Sequence, residues 1–235
     1  MAVAAPFTGF SREAIQFLAD LAVHNDRSWF QPRKGEYERL LKEPLEALCL
    51  ALGERFEARR LPLSADGRSP FRIYRDLRFS ADKSPYKTHV SASFPWTGDG
   101  GGVGAYFHLQ PGEVFAGGGM WHPLPPQLAA WRRAVDTDAA SVNAALHDLA
   151  FERVFGAVSG DRLTRVPKGF AADHPGADLL KMKDVTFGRP LSDAEVLSAD
   201  LPDLLAETFA ASVPVLGLLA GLSPDAAKVA WLRGQ

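Results

Sequence analysis

Residues 71–89 hold the densest group of side chains that could do chemistry, in the run FRIYRDLRFSADKSPYKTH. From Arg68 to His89 there are six cations and two anions, a local charge of +4, which leaves −6 for the rest of a chain whose net charge is −2. Arginine binds phosphate and carboxylate through paired hydrogen bonds, and lysine adds a point charge. The sequence therefore predicts one focused anion site and excludes a generally basic coat for nucleic acid.

Alternating polarity predicts that residues 71–79 form a strand, because successive side chains of a strand point to opposite faces. The polar side would carry Arg72, Tyr74, Asp76 and Arg78, and the apolar side Phe71, Ile73, Leu77 and Phe79. Arg75 breaks this pattern. It must find a carboxylate or several carbonyls, since burying an unpaired guanidinium is costly.

Three further segments alternate in the same way, at residues 89–94, 105–110 and 114–116, the last followed by the glycine triplet 117–119. Short turns join them, which predicts an antiparallel meander. The polar face of this sheet would gain His89, Ser91, Ser93, Tyr106, His108 and Gln110. Such a face suits an anionic ligand; the alternative is a solvated face with cross-strand ion pairs.

These patterns give candidate roles to particular residues. We expect a ligand to contact Arg72, Tyr74, Arg75, Arg78, Lys83, Tyr86, Lys87, Tyr106 and Trp121. The turn at residues 82–87 would hold Lys83 and Lys87 beside the arginines. His89 or His108 is the candidate for proton transfer, with Asp76 as its orienting group.

Other chemistries find little support. The six histidines lack the helical spacing of metal ligands, and no Gly-x-Ser-x-Gly elbow is present. The glycine-rich stretches 98–104 and 117–119 lack the lysine of a P-loop and are interpreted as hairpin connections or sites of close backbone approach. The single Cys49 excludes a disulfide within the chain and is expected to be a buried thiol. The sequence names no cofactor.

The elements around these strands are predicted to be helical. Ser11 is a candidate N-cap, Pro44 predicts a break in the second helical stretch, Ser192 and Glu195 have capping-box spacing, and Asp200 with Pro202 opens a longer helix. Residues 163–170 and 182–187 are weaker strand candidates. We expect an α+β protein in which a central antiparallel sheet of about four to six strands is flanked by N-terminal and C-terminal helices. Residues 1–235 would form one domain, helical over 1–60, sheet over 69–121 and mainly helical over 122–235.

A cytoplasmic protein without membrane contact is the expected location. Residues 1–10 lack a basic region followed by an apolar stretch, so no secretory signal is predicted. The most apolar late segment, residues 213–222, contains Pro214 and is too short to span a bilayer.

The chain resembles a bacterial and fungal family known as domain of unknown function 2461. The run at residues 71–89 carries most of the resemblance. It is supported, in the family's order along the chain, by residues 25–30 (NDRSWF), 106–109 (YFHL), 117–121 (GGGMW), 167–170 (PKGF) and 174–175 (HP). The resemblance implies a single intracellular α+β domain and assigns no catalytic residue.

The functional expectation is therefore an anionic small molecule or nucleotide bound on the sheet face, with hydrolytic or transfer chemistry as an open question. One alternative is a protein-binding module, or a module for single-stranded nucleic acid, without catalysis; the latter would interleave basic residues with exposed aromatics. Another is a purely structural network of arginine and aspartate.

Overall fold

The computed structural model describes residues 6–76, 78, 82–98 and 101–222. Its N-terminal layer consists of α1 (Arg12–Val23), α2 (Arg27–Phe30), α3 (Lys34–Tyr37) and α4 (Glu43–Ala58). Ser11 caps α1 as predicted, since its Oγ accepts a hydrogen bond from the Ala14 amide at 3.1 Å. Pro44 lies in the first turn of α4, where its missing N–H is tolerated. The expected break is instead a π-helical turn at Glu38–Lys42 that leads into α4.

Four antiparallel strands form one sheet in the order β1-β2-β3-β4. They are β1 (Val90–Pro95), β2 (Val103–Gln110), β3 (Glu113–Met120) and β4 (Val185–Pro190). β1, β2 and β3 follow the predicted meander. β4 overlaps the strand predicted at residues 182–187, so the sheet is not confined to residues 69–121.

The strand predicted at residues 71–79 is wrong for the described residues 71–76, which are extended but are not a member of the sheet. They make single bridges, Pro70 to Ala92 and Tyr74 to Tyr86, because the segment turns away from the edge of β1 after its first contact. Leu77 and Phe79 lie outside the described residues. Residues 163–170 form no strand either, although Arg162 makes one bridge to Met182.

The C-terminal layer is helical around β4. It contains α5 (Pro125–Thr137), α6 (Ala139–Leu146), α7 (Leu149–Phe155), α8 (Ala177–Leu180), α9 (Asp193–Leu197) and α10 (Leu201–Gly221). The capping box predicted before α9 is confirmed, because the Ser192 amide donates to Glu195 Oε2 at 2.7 Å and Ser192 Oγ accepts from the Glu195 amide at 3.3 Å. The protein is thus α+β, with helices flanking an antiparallel sheet, as predicted.

The hydrophobic core lies between one face of the sheet and helices α4 and α10. Phe94 of β1 lies 5.5 Å, centroid to centroid, from Phe209 of α10 and 5.7 Å from Phe56 of α4. All three rings are at most 1 % exposed. Cys49 of α4 is fully buried in the same layer, as predicted, and burial raises the pKa of its thiol. Because this face is covered by helices, the side chains that alternate with it point the other way.

Helix α10 corrects the prediction that the late apolar segment is too short to span a bilayer. It continues through Pro214 for 21 residues and is long and apolar enough for a membrane-spanning helix. However, 56 % of its most apolar stretch is buried inside the protein. A core helix of a soluble protein has the same length and composition, so α10 is weak evidence for a membrane segment.

Glycine is required where β3 meets β4. Gly119 has φ +125°, and a Cβ there would overlap the carbonyl oxygen of Val185. Gly188 of β4 is different: its φ is ordinary, and the nearest atom to a Cβ would be Phe115 Cδ2 at 3.7 Å.

We predict that Gly119→Ala lowers the free energy of unfolding by more than about 1 kcal/mol, because the left-handed backbone and the overlap both oppose a side chain. Gly188→Ala serves as the control and should change the free energy by no more than about 0.5 kcal/mol. Urea denaturation of the two variants and the wild type measures both. Equal effects of the two substitutions would contradict this account of β3 and β4.

Candidate functional site

The sheet face opposite the helices is arranged in rows by the strand register. Across the sheet these rows are Ser91–His108–Phe115, Ser93–Tyr106–Gly117–Gly188 and Pro95–Gly104–Gly119–Thr186. Residues directly opposite one another on neighbouring antiparallel strands lie about 5 Å apart. The predicted convergence of His89, Ser91, Ser93, Tyr106 and His108 on one face is therefore present in the structure.

A cavity of about 720 Å³ lies over this face. Its volume falls within the range of small-molecule sites in proteins, roughly 300–1,000 Å³. One end is polar, with Lys87, His89, Ser91 and His108. The other end has glycines on its floor and aromatic residues at its sides, including Phe115 and Trp121. The cavity thus joins a polar end to a larger apolar one.

His108 is the centre of an aromatic stack at the polar end. Its ring centroid lies 4.4 Å from that of His89 and 5.0 Å from that of Phe115, with which it is stacked. Tyr106 Oη lies 3.2 Å from His108 Nδ1. His108 is 8 % exposed, and its Nε2 is buried without a hydrogen-bond partner among the described residues. Such an atom is costly unless something binds it.

Both imidazoles are neutral at pH 7. Burial, followed by the charges of His108, Lys87 and Arg75, lowers the pKa of His89 from 6.5 to about 4. Burial also lowers the pKa of His108. A neutral imidazole can accept a proton or a hydrogen bond, which is what a general base requires.

Lys87 is the cation of the site. Its side chain is half-buried, and its Nζ lies 5.2 Å from the centroid of the Phe71 ring. Burial and the neighbouring Arg72 lower the pKa of its ammonium group. Lys87 and His89 also line a second cavity of about 360 Å³, together with Arg75, Asp76 and Thr88. The two cavities therefore share one cation and one imidazole.

The N-terminal residues 25–30 explain how Lys87 is positioned. Asn25 Nδ2 donates to the Tyr86 carbonyl at 2.9 Å, and Asn25 Oδ1 accepts from the Tyr86 amide at 3.0 Å. The Tyr86 ring stacks on Phe30 at 4.0 Å. The Lys87 amide donates to the Ile73 carbonyl at 2.7 Å. These contacts fix the backbone at Tyr86 and Lys87.

Tyr86 was predicted to contact the ligand, but the structure places it in the core. It is 1 % exposed and lies outside the linings of both cavities. Its role is to anchor the segment that carries Lys87, because its backbone binds Asn25 and its ring packs on Phe30.

Two of the arginines that were predicted to contact a ligand bind carboxylates of their own segment. Arg75 forms an ion pair with Asp82, so it finds the carboxylate that its place in the pattern demanded. Arg78 Nε donates to Asp76 Oδ1 at 3.0 Å, and this contact lowers the pKa of Asp76 to about 2. Asp76 was predicted to orient a histidine; its carboxylate binds Arg78, and the residue lines the smaller cavity together with His89. This part of the segment fits the alternative of a structural ion network.

The remaining predicted residues divide between the cavities and the surface. Trp121 lines the large cavity and is 53 % exposed. Tyr74 is 49 % exposed and packs on Tyr86 at 5.6 Å. Exposed positions outside both linings are occupied by Arg72, Arg78 and Lys83. Because residues 71–76 are not a strand, these side chains do not continue the polar face of the sheet.

Sequence reasoning missed the glycine part of the site. Gly104, Gly117, Gly119 and Gly188 lie in two neighbouring rows of the same face. Gly117 and Gly119 were interpreted as structural, and both do lie where a Cβ would overlap β4. The available signal was their spacing of two, which places them on the face of β3 that meets Tyr106 on β2.

The donor set does not suit a metal. Over residues 6–76, 78, 82–98 and 101–222, no group of three or more His, Cys, Asp or Glu side chains could hold an ion. The pair His89 and His108 would supply only two nitrogen ligands, fewer than the three or four protein ligands of zinc sites.

The chain matches the model of a known protein family. The model of the family described as "Conserved hypothetical protein (DUF2461)" matches residues 13–217. The chain therefore belongs to this family, in agreement with the resemblance carried by residues 71–89. No curated protein and no solved structure matches the chain.

We predict that Asn25→Ala lowers the free energy of unfolding by about 1–3 kcal/mol, because it removes two hydrogen bonds from the backbone of Tyr86. Asn143→Ala is the matched control, since Asn143 is exposed on α6 and alanine favours helix. Thermal and urea denaturation of both variants test this. A loss no larger than that of the control would show that Asn25 does not anchor the segment.

His89 should make stability depend on pH. Its folded pKa of about 4 lies below its unfolded value of 6.5, so the unfolded chain binds a proton between these values while the folded protein does not. Stability is therefore lost as the pH falls from about 6.5 to 4. The slope of the free energy of unfolding against pH reports the difference in bound protons between the two states. In His89→Gln this difference should decrease by close to one proton between pH 4 and 6.5, and an unchanged slope would contradict a neutral His89. Urea titrations at several pH values measure it.

Proposed function

We propose that this member of the DUF2461 family binds a small organic anion in the cavity over the open sheet face, with Lys87 as its principal cation and His89 beside it. The observation that carries the proposal is that these two residues line both cavities, at the polar end of the larger one. The chain would be a small-molecule-binding protein of the cytoplasm, where one buried thiol needs no oxidising compartment.

The local potential supports an anionic ligand. Burial lowers the pKa of both groups, and positive neighbours lower it further, Arg72 acting on Lys87, and Lys87 and Arg75 acting on His89. None of the ion pairs of the described residues involves Lys87. A half-buried ammonium without a counterion is unfavourable, so a phosphate or carboxylate at this point would be stabilised by both the charge and the burial.

The same site could support hydrolytic or transfer chemistry. His89 is neutral at pH 7 and could accept a proton from a ligand or a water molecule. Lys87 would stabilise negative charge that develops beside it. His108 would act as a positioning residue, because its ring packs against His89 with the centroids 4.4 Å apart.

A binding surface for single-stranded nucleic acid is less well supported. Such a surface needs several exposed aromatic rings along a basic track. Tyr86 is buried in the core, and Tyr106 faces the cavity with its hydroxyl at His108. Tyr74 is the exposed tyrosine of the basic segment. The described residues thus offer a cavity for a small anion rather than an exposed track of aromatic rings.

Inorganic phosphate should raise the thermal midpoint of the wild type, and the shift should shrink as sodium chloride is added, because the site is electrostatic. Lys87→Ala should abolish the shift. Lys34→Ala is the control and should keep it, since Lys34 is an exposed lysine of α3 paired with Glu38. Differential scanning fluorimetry makes the measurement, with the ionic strength held constant within each phosphate series and raised with sodium chloride from one series to the next. If phosphate stabilises Lys87→Ala as much as the wild type, the proposed site is wrong.

A further inference from the structure

The apolar end of the large cavity has a bare backbone floor. Gly104, Gly119 and Gly188 line it, and Gly117 lies beside them in the same two rows of the sheet, which also carry the side chains of Tyr106 and Thr186. Phe115 and Trp121 are among the residues that line the cavity around this floor. Peptide planes without side chains offer a flat surface on which a planar ring can lie in van der Waals contact, with aromatic rings at its edges.

Sheet geometry explains three of these glycines but not the fourth. A Cβ at Gly104, Gly117 or Gly119 would overlap the backbone of a neighbouring strand. At Gly188 the nearest atom to a Cβ is 3.7 Å away, the φ is ordinary, and the residue is exposed. A strand disfavours glycine, so a glycine that the backbone does not need suggests that something else occupies the space above it.

His108 lies where the polar end of the cavity meets the apolar end. His108 lines it, is more than nine-tenths buried, and has an Nε2 without a partner among the described residues. Its Nδ1 lies 3.2 Å from Tyr106 Oη, and burial raises the pKa of that hydroxyl, which therefore stays protonated. If Tyr106 donates to Nδ1, the ring hydrogen of the neutral His108 is at Nε2, where it is a donor.

The two ends of the cavity are too far apart for a simple anion to contact both. Four residues of extended chain separate His89 at the polar end from Ser93, whose row contains Gly117 and Gly188. At about 3.4 Å per residue this is roughly 13 Å. A phosphate ion or a short carboxylate therefore fills one end and leaves the glycine floor empty.

We infer that the ligand is an elongated aromatic anion, with a planar ring over the glycine floor and a phosphate or carboxylate at Lys87. The His108 ring lies between these ends, packed on the rings of His89 and Phe115. This inference rests on the proposed function for its anionic end. It adds the class of molecule: an aryl or heteroaryl phosphate or carboxylate, of which a nucleoside monophosphate is one example.

The test uses two aromatic phosphates, adenosine 5′-monophosphate and 1-naphthyl phosphate, with inorganic phosphate, adenosine and 1-naphthol as their separate parts. Isothermal titration calorimetry measures the affinities of the wild type and of three variants. Gly188→Leu fills the floor, Lys87→Ala removes the cation, and Gly35→Leu is the control on the exposed surface of α3, where no atom lies near a Cβ. Gly188→Ala is the milder second variant if Gly188→Leu fails to fold.

At least one aromatic phosphate should bind the wild type at least tenfold more tightly than its separate parts do. Gly188→Leu should weaken it at least tenfold while leaving the thermal shift by inorganic phosphate unchanged. Lys87→Ala should abolish both the tight binding of the aromatic phosphate and the thermal shift by inorganic phosphate. Gly35→Leu should change neither of them. Gly188→Ala should weaken the aromatic phosphate by a smaller factor than Gly188→Leu does, again without changing the shift by inorganic phosphate.

Two results separate the inference from the proposed function. If neither aromatic phosphate binds more tightly than inorganic phosphate, or if Gly188→Leu binds both as the wild type does, the aromatic ligand is excluded while the anion site at Lys87 stands. If inorganic phosphate also has no effect that depends on Lys87, the proposed function fails together with the inference.

Discussion

The antiparallel register of the sheet places Ser91 and Phe115 on either side of His108, and Ser93 and Gly117 on either side of Tyr106. Helices α4 and α10 cover the opposite face, where Phe94 and Phe107 are fully buried. A slip of one residue in any strand would exchange the two faces and bury polar groups against α10. The register is therefore strongly specified by the core, and the core in turn fixes the side chains that line the cavity.

The site also needs a fixed position for Lys87, and residues distant in sequence provide it. Lys87 lies in an extended segment without a helix or strand of its own, so its position depends on Asn25 and on the bridge between Tyr74 and Tyr86. The structure thus gives a physical role to the NDRSWF residues at 25–30. They stabilise the backbone that presents the cation, and they contact neither cavity.

Much of the fold follows from local signals. Ser11, the capping box at Ser192 and the alternation in β1 and β2 each depend on neighbouring residues, and each prediction agrees with the structure. The alternation at residues 71–79 predicted a strand wrongly, because an extended segment alternates whether or not a partner strand follows it. The pairing of β3 with β4 joins Gly117 to Gly188, and no local pattern reports a contact between residues so far apart.

The candidate site was predictable only in part, because local patterns show which face a strand residue takes but not which distant residues it contacts. Alternation placed His89, Tyr106 and His108 on one face, but it could not show that Asp76 binds Arg78 or that Tyr86 packs in the core. The most direct measurement of the central claim is a map of amide chemical-shift changes in the ¹⁵N-labelled protein on addition of 1-naphthyl phosphate. We predict shifts centred on Lys87, His89, His108 and the glycines of β3 and β4. Shifts confined to the exposed residues around Arg78 and Lys83 would contradict the account.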